Sequence, residues 1–225
     1  MTLYLKAGPD GESCGDCPFA HYVRMVLEEK NLPYTIRPST QETKPVWLMD
    51  HYEGKMPALR HRSECYVESD VIAEYLEFFF QDPPLTPSTS AQKKELTAAK
   101  ELVGTVFPAI AKYLKSKTDG GEEDAEKQQN LREVLSTLEQ HFSGEGRTGP
   151  FIVGNGDMIT LVDCSLAPKL FHMQVGLKNL KGGVIDVDAD FPAVASYMKT
   201  MFERDSFKES SYPEETVVWG WTTYH

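Results

Sequence analysis

The sequence holds four cysteines, Cys14, Cys17, Cys65 and Cys164, and only the first two are close together. Cys17 lies in the run Cys14-Gly15-Asp16-Cys17-Pro18-Phe19. Pro18 suits the first position of a helix, where its missing N–H would be unsatisfied in any case. That makes Cys17 the helix cap, with free backbone N–H groups aimed at its sulfur. The helix dipole and those N–H groups favour a thiolate, so the sequence predicts a nucleophilic cysteine of lowered pKa. The neighbours Ser13, Gly15 and Asp16 are not core residues, which argues against an inert, buried thiol.

Asp16 opposes that thiolate. At roughly 6 Å the repulsion is about 3 kcal/mol for an effective dielectric near 20. A helix terminus returns only about 0.3–2 kcal/mol. Asp16 must therefore be solvated, turned away, or offset by a lysine. Lys6 and Lys44 are the lysines placed to reach a cleft at the strand ends. The spacing C-x-x-C invites a dithiol reading. In thioredoxin-like dithiols, however, the attacking cysteine comes first and its partner sits three residues later, inside the helix. Here Ala20 occupies that partner position, so the site reads as single-cysteine, with Cys14 a resolving or damage-prone thiol. A zinc site from Cys14, Cys17 and His21 lacks a fourth ligand. His21, one turn after Cys17, reads as an ordinary exposed histidine.

The elements that position these residues follow from periodicity. Thr2 to Lys6 alternates like a half-buried strand, and Phe19, Tyr22, Val23, Val26 and Leu27 recur at helical spacing. Cys17 is thus the joint between a first strand and a helix over Pro18 to Lys30. A second strand is expected at Tyr34 to Arg37, a short helix at Glu42 to Met49, and a hairpin from Ala58-Leu59-Arg60 into Cys65-Tyr66-Val67. A helix over Val71 to Phe80 follows, with Ser69 and Asp70 as N-cap signals. This order describes a small α/β layer domain over residues 1–80. Phe78-Phe79-Phe80 reads as core or interdomain packing. Residues 81–90, with three prolines, read as a linker, and residues 91–225 as a helical domain. Helices are expected at Ala91 to Lys117, Ala125 to Phe142, Leu161 to Val175 and Phe191 to Arg204, with a loop at Thr118 to Asp124. Thr160 and Asp163 match a capping box. The tail from Tyr212 shows no strong periodicity.

The chain has 225 residues and a formal net charge of −11, which argues against nucleic acid or an anionic membrane as the main partner. The sparse cysteines fit a reducing compartment rather than a disulfide scaffold. No apolar run reaches the length of a membrane span, and no targeting peptide is visible.

The runs Gly15-Asp16-Cys17-Pro18-Phe19, Leu27-Glu28-Glu29-Lys30, Glu53-Gly54-Lys55-Met56-Pro57, Glu68-Ser69-Asp70-Val71-Ile72, Val106-Phe107-Pro108, Ser165-Leu166-Ala167-Pro168-Lys169-Leu170 and Gly220-Trp221 together resemble the plant and green-algal dehydroascorbate reductases of the glutathione transferase superfamily. The resemblance implies the glutathione transferase fold: an α/β thioredoxin-like N-terminal domain and an all-α C-terminal domain. It implies glutathione-dependent reduction of dehydroascorbate through Cys17, with Asp16 assisting and Lys6 and Asp16 contacting the ascorbate ring. Glutathione would lie along Lys44, Met56, a cis Pro57, Glu68, Ser69, Asp70 and Trp221. It further implies glutathione as co-substrate with no bound cofactor or metal, a monomer, no stable membrane insertion, and cytoplasm or plastid stroma as the compartment. Two other readings share the Cys17-Pro18-Phe19 motif: an omega- or lambda-like thioltransferase, and a chloride-intracellular-channel-like protein that inserts in membranes. The charges Arg24, Glu28, Glu29 and Lys30 oppose the second. Where family members continue the motif with Ser-Gln-Arg, this chain has Ala20, His21 and Tyr22, and Cys14 replaces a usual aliphatic residue.

Overall fold

The computed structural model describes residues 1–116 and 121–223. Four strands form one sheet in the order β2-β1-β3-β4. Strand β1, Thr2–Lys6, pairs in parallel with β2, Thr35–Ser39, and antiparallel with β3, Ala58–His61. The β3 strand turns into β4, Glu64–Val67. Alternation works on β1 as the sequence suggests: Leu3 and Leu5 point into the core while their neighbours are half-buried.

Helix α1, Pro18–Glu29, links β1 to β2 and packs on α3, Ser69–Phe79. It also meets α6, Leu161–Leu180, and α9, Asp205–Ser210. It therefore has little outward face, and both His21 and Arg24 are buried in it. The exposed histidine expected at position 21 is corrected on this point. The short helix α2, Val46–Tyr52, begins later than expected because Pro45 is its cap and disfavours helix at Lys44 before it. Thr40 and Thr43 instead close a turn through their hydroxyls. The inward positions of α3 are Ser69, Ile72, Ala73 and Leu76. Phe78 falls outside that stripe, and Phe78 and Phe79 stand 70% and 60% exposed, so the run packs on the core through Phe80 alone.

The helical part begins with α4, Ser90–Lys115, and α5, Glu122–Phe142, packed side by side. Glu122, Glu123 and Asp124, expected in a loop, form the first turn of α5, where acidic side chains suit the helix dipole. Gly121 caps α5, while residues 118–120 of that expected loop, and residue 117 at the expected end of the helix before it, lie outside the described residues. Helix α6 runs past Val175 to Leu180. At its start the Asp163 carboxylate accepts from the Thr160 N–H at 2.8 Å and the Thr160 hydroxyl at 2.7 Å, and also from the Ile152 N–H at 2.9 Å. Buried Asp163 thus ties the preceding loop to the central helix. Two short elements unmarked in the sequence follow: α7, Val187–Asp190, and α9. Between them lies α8, Pro192–Glu203. The tail forms α10, Glu214–Thr223, against α6. Among the described residues no helix is long and apolar enough to cross a membrane.

Candidate active site

The site is built where β1 ends. The loop after β1 folds back so tightly that the Gly15 N–H donates to the Lys6 carbonyl at 2.7 Å. A Cβ at position 15 would stand 2.6 Å from the Ala7 carbonyl oxygen, so only glycine allows this approach. An isolated bridge between Ala7 and Cys14 completes the return. Asp16 and Cys17 are thereby delivered beside the end of β1, and Lys6 Nζ pairs with Asp16 Oδ1 at 2.7 Å. Lysine offset of Asp16, one of three options open from the sequence, is the arrangement found. Lys6 Nζ also stands 5.2 Å over the Trp219 ring.

Cys17 is the N-cap of α1 with Pro18 behind it. The Phe19 and Ala20 N–H groups favour its thiolate, but the sulfur closes no full capping hydrogen bond. Cys17 opens partly to solvent while packing against the core. Burial pushes its thiol above the ordinary value and Asp16 adds to that, while Ala20, Phe19 and Lys6 pull it back without prevailing. The lowered pKa expected from the cap alone is therefore corrected: desolvation by burial outweighs the helix terminus.

Phe19, Met56, Pro57, Glu68, Ser69 and Asp70 line one cleft of about 190 Å³. The Met56–Pro57 peptide is cis. Glu68 caps α3 at φ 69°, a backbone conformation that non-glycine residues rarely adopt, and its exposed carboxylate lies 3.4 Å from Lys55 Nζ. Lys44 is outside this lining; its methylenes lie beside Gly54. Trp221 is 6% exposed, and its indole N–H donates to His172 Nδ1 at 3.2 Å. Cys14 and Cys17 are both free thiols. His21 turns into the core, its ring 4.7 Å from Phe207 and 5.3 Å from Tyr212, with neither ring nitrogen reaching a partner in good hydrogen-bonding geometry. Among the described residues, no group of three or more His, Cys, Asp or Glu side chains is placed to hold a metal. A larger cavity of about 660 Å³, between α6, α7 and α8, contains none of these residues.

The helical domain supplies groups that sequence reasoning missed. Phe107 of α4 bridges the two halves, 5.4 Å from Phe19 and 6.2 Å from Trp221. Tyr212 donates its O–H to the Asp16 carbonyl at 3.0 Å and meets His172 Nε2 at 2.8 Å. Gly220 brings the α10 backbone against the Asp16 carboxylate. Phe107, Gly220 and Trp221 lie in the family-like runs, whereas nothing in the sequence marked His172 or Tyr212.

A thioredoxin-like sheet followed by an appended helical domain defines the glutathione transferase class. Comparisons agree. The glutathione S-transferase N-terminal domain matches residues 16–77, and the C-terminal domain matches residues 95–200. The chain is 37% identical over 211 residues to glutathione S-transferase DHAR2 of Arabidopsis thaliana, covering 92% of this chain and 89% of that one. It is 35% identical over 216 residues to a probable cytosolic glutathione S-transferase DHAR1 of rice (Oryza sativa subsp. japonica), covering 93% and 91%. Among solved structures, Chlamydomonas reinhardtii dehydroascorbate reductase superposes with a TM-score of 0.82 at 30% identity, covering 100% of this chain and 98% of that one. The chain belongs to the dehydroascorbate reductase family of the glutathione transferase superfamily.

Proposed function

We propose that this chain reduces dehydroascorbate to ascorbate at the expense of glutathione, with Cys17 as nucleophile in a ping-pong cycle. The observation that carries the proposal is the Lys6–Asp16 ion pair at 2.7 Å beside the cap cysteine of α1, the helix whose Phe19 lines the cleft. Lys6 both quenches the carboxylate next to the thiolate and offers a cation to the enediolate charge that grows as the ring is reduced. Asp16 and Lys6 contact that ring. The glutathione backbone runs along Met56 and Pro57, with its γ-glutamyl end at Glu68, Ser69 and Asp70. Lys44 stands farther out along the peptide, and Trp221 backs the site from the helical side.

In the first half-reaction the Cys17 thiolate, dehydroascorbate and one water give ascorbate monoanion and a Cys17 sulfenic acid. The sulfur loses two electrons and the ring gains them. One glutathione condenses with the sulfenic acid, releasing water and leaving a mixed disulfide. A second glutathione thiolate attacks its own kind in that disulfide, expelling oxidised glutathione and the Cys17 thiolate. Cys14 is dispensable for turnover in this scheme; as a resolving thiol it condenses with a Cys17 sulfenic acid that glutathione has not reached, forming a disulfide and releasing water. The cycle as proposed takes the chain to act as a monomer. Four free cysteines suit a reducing compartment.

The test is glutathione-dependent dehydroascorbate reduction by wild type, Cys17→Ser, Cys14→Ser, Cys65→Ser and Cys164→Ser, with a small mixed disulfide as comparison substrate. Cys17→Ser should be inactive and the other three active, with dehydroascorbate the preferred oxidant. Retained turnover in Cys17→Ser overturns the single-cysteine mechanism, and an equally dead Cys14→Ser makes the site a dithiol.

A further inference from the structure

Three segments far apart in sequence meet in a single-file chain of hydrogen bonds. The Trp221 indole N–H donates to His172 Nδ1 at 3.2 Å. His172 Nε2 meets the Tyr212 hydroxyl at 2.8 Å, and that hydroxyl donates to the Asp16 carbonyl at 3.0 Å. Trp221, His172, Tyr212 and Asp16 are all buried. An indole N–H can only donate, so Nδ1 must accept. A neutral imidazole then carries its proton on Nε2 and donates to the Tyr212 oxygen. The Tyr212 hydrogen is left for the Asp16 carbonyl. The chain runs from α10, through α6, into the peptide that joins Asp16 to Cys17, where the His172 ring also comes within reach of the Asp16 backbone.

We propose that Trp221, His172 and Tyr212 are positioning residues for the Cys17 thiolate, acting through the Asp16–Cys17 peptide. This rests on Cys17 being the nucleophile. The carbonyl of that peptide is a fixed negative pole one residue from the sulfur. With Tyr212 donating into it, the pole is satisfied and turned toward the helical domain. Without that donor, an unpaired carbonyl stands beside the sulfur and opposes ionisation. Tyr212 is close enough to feel the sulfur, since a charge on Cys17 disfavours ionisation of its phenol. The titratable groups around this point are Lys6 from β1, Cys14 and Asp16 from the loop, His21 and Arg24 from α1, and His172 from α6. Burial holds His172 down at about 4, so the ring stays neutral and the chain keeps its direction at neutral pH. A protonated ring would face the Trp221 N–H donor with another donor.

The test reads the sulfur directly: the pH profile of Cys17 alkylation by iodoacetamide, followed by mass spectrometry of the Cys17 peptide. The proteins are wild type, Tyr212→Phe, His172→Phe, His172→Gln and Trp221→Phe. Glutamine offers one acceptor oxygen and one donor nitrogen, the two functions the chain asks of position 172. Tyr212→Phe and His172→Phe should shift the profile to higher pH and slow alkylation at pH 7 by about fivefold, the size of one net hydrogen bond. The kcat for dehydroascorbate should fall by a similar factor while KM for glutathione holds. His172→Gln should recover most of the loss. Trp221→Phe frees the tautomer and should shift the profile the same way by less, which keeps the idea testable if His172→Phe fails to fold. A wild-type profile in folded Tyr212→Phe, with only the melting temperature lowered, would make the chain a staple between domains and overturn the proposal. The nucleophile reading fails separately, through turnover in Cys17→Ser.

Discussion

The Asp16 carboxylate fills the space that a side chain would need at Gly220: a Cβ there would stand 1.8 Å from Asp16 Oδ2. The last helix thus closes on the loop that carries the nucleophile, backbone against carboxylate. Lys6 holds Asp16 in that position from the other side.

Gly220→Ala should therefore push Asp16 off Lys6 and lower dehydroascorbate turnover by about tenfold or more, a shift of about 1.4 kcal/mol in transition-state stabilisation. Gly104, on the exposed side of α4, is the matched control, since a Cβ there meets nothing within 4 Å. Gly104→Ala should keep activity and raise stability by about 0.5–1 kcal/mol through helix propensity. Steady-state rates and thermal melts of the pair check both halves.

The pH dependence follows from the sulfur. Burial holds the Cys17 thiol above its ordinary value, so at neutral pH the reactive thiolate is the minor form and its fraction grows as pH rises. The rate of dehydroascorbate reduction at saturating glutathione should climb from pH 6 to 9. Lys6→Ala should move the rise to higher pH, because Lys6 lowers the thiol pKa. A flat profile would show that thiolate formation does not govern the rate.

The two lysines should divide the work. Lys6 touches Asp16 at the reacting end, so Lys6→Ala should mainly depress kcat with dehydroascorbate, where charge develops in the transition state. Lys44 lies outside the cleft lining, so Lys44→Ala should mainly raise KM for glutathione, the mark of binding shared by ground and transition states. Kinetics with each substrate varied in turn separate the two, and wild-type behaviour in both would reduce them to surface charges.

His21 carries a stability signature. Neither nitrogen of its buried ring reaches a partner in good hydrogen-bonding geometry, and burial, then Arg24 and His172, hold its pKa well below 6.5 against an opposing pull from the Phe207 backbone. The unfolded chain takes up a proton near 6.5 that the folded chain refuses, so stability contributed by the neutral ring is lost as pH falls below about 6.5. His172, held at about 4 by burial, acts in the same direction. Asp163, raised to about 6 by burial, acts in the opposite one. His21→Leu should stabilise the protein by about 1 kcal/mol at pH 7.5 by removing two poorly partnered polar atoms. It should also lose less stability than wild type between pH 7.5 and 5. Denaturant melts at the two pH values measure the difference, and equal losses would refute the assignment.

What the sequence determined by itself is what depends on neighbours along the chain. The cap position of Cys17 needs only a strand, a loop and Pro18, and all three lie within twenty residues. The Thr160–Asp163 start of α6 is local in the same sense, and so is each strand by itself, although β1 finds β3 far along the chain. The covering helix was hidden although its inward positions, Thr216, Val217, Gly220 and Trp221, keep helical spacing. Two of the four are Thr and Gly, so the stripe carries too little hydrophobic signal to stand out. His21 was misplaced because a polar residue on an amphipathic helix is assumed to face water, and α1 is enclosed by α3, α6 and α9. The raised thiol of Cys17 and the bond from Tyr212 to Asp16, 196 residues apart, belong to the tertiary structure alone. Desolvation depends on what the whole chain brings over a group, and no spacing within one motif encodes it.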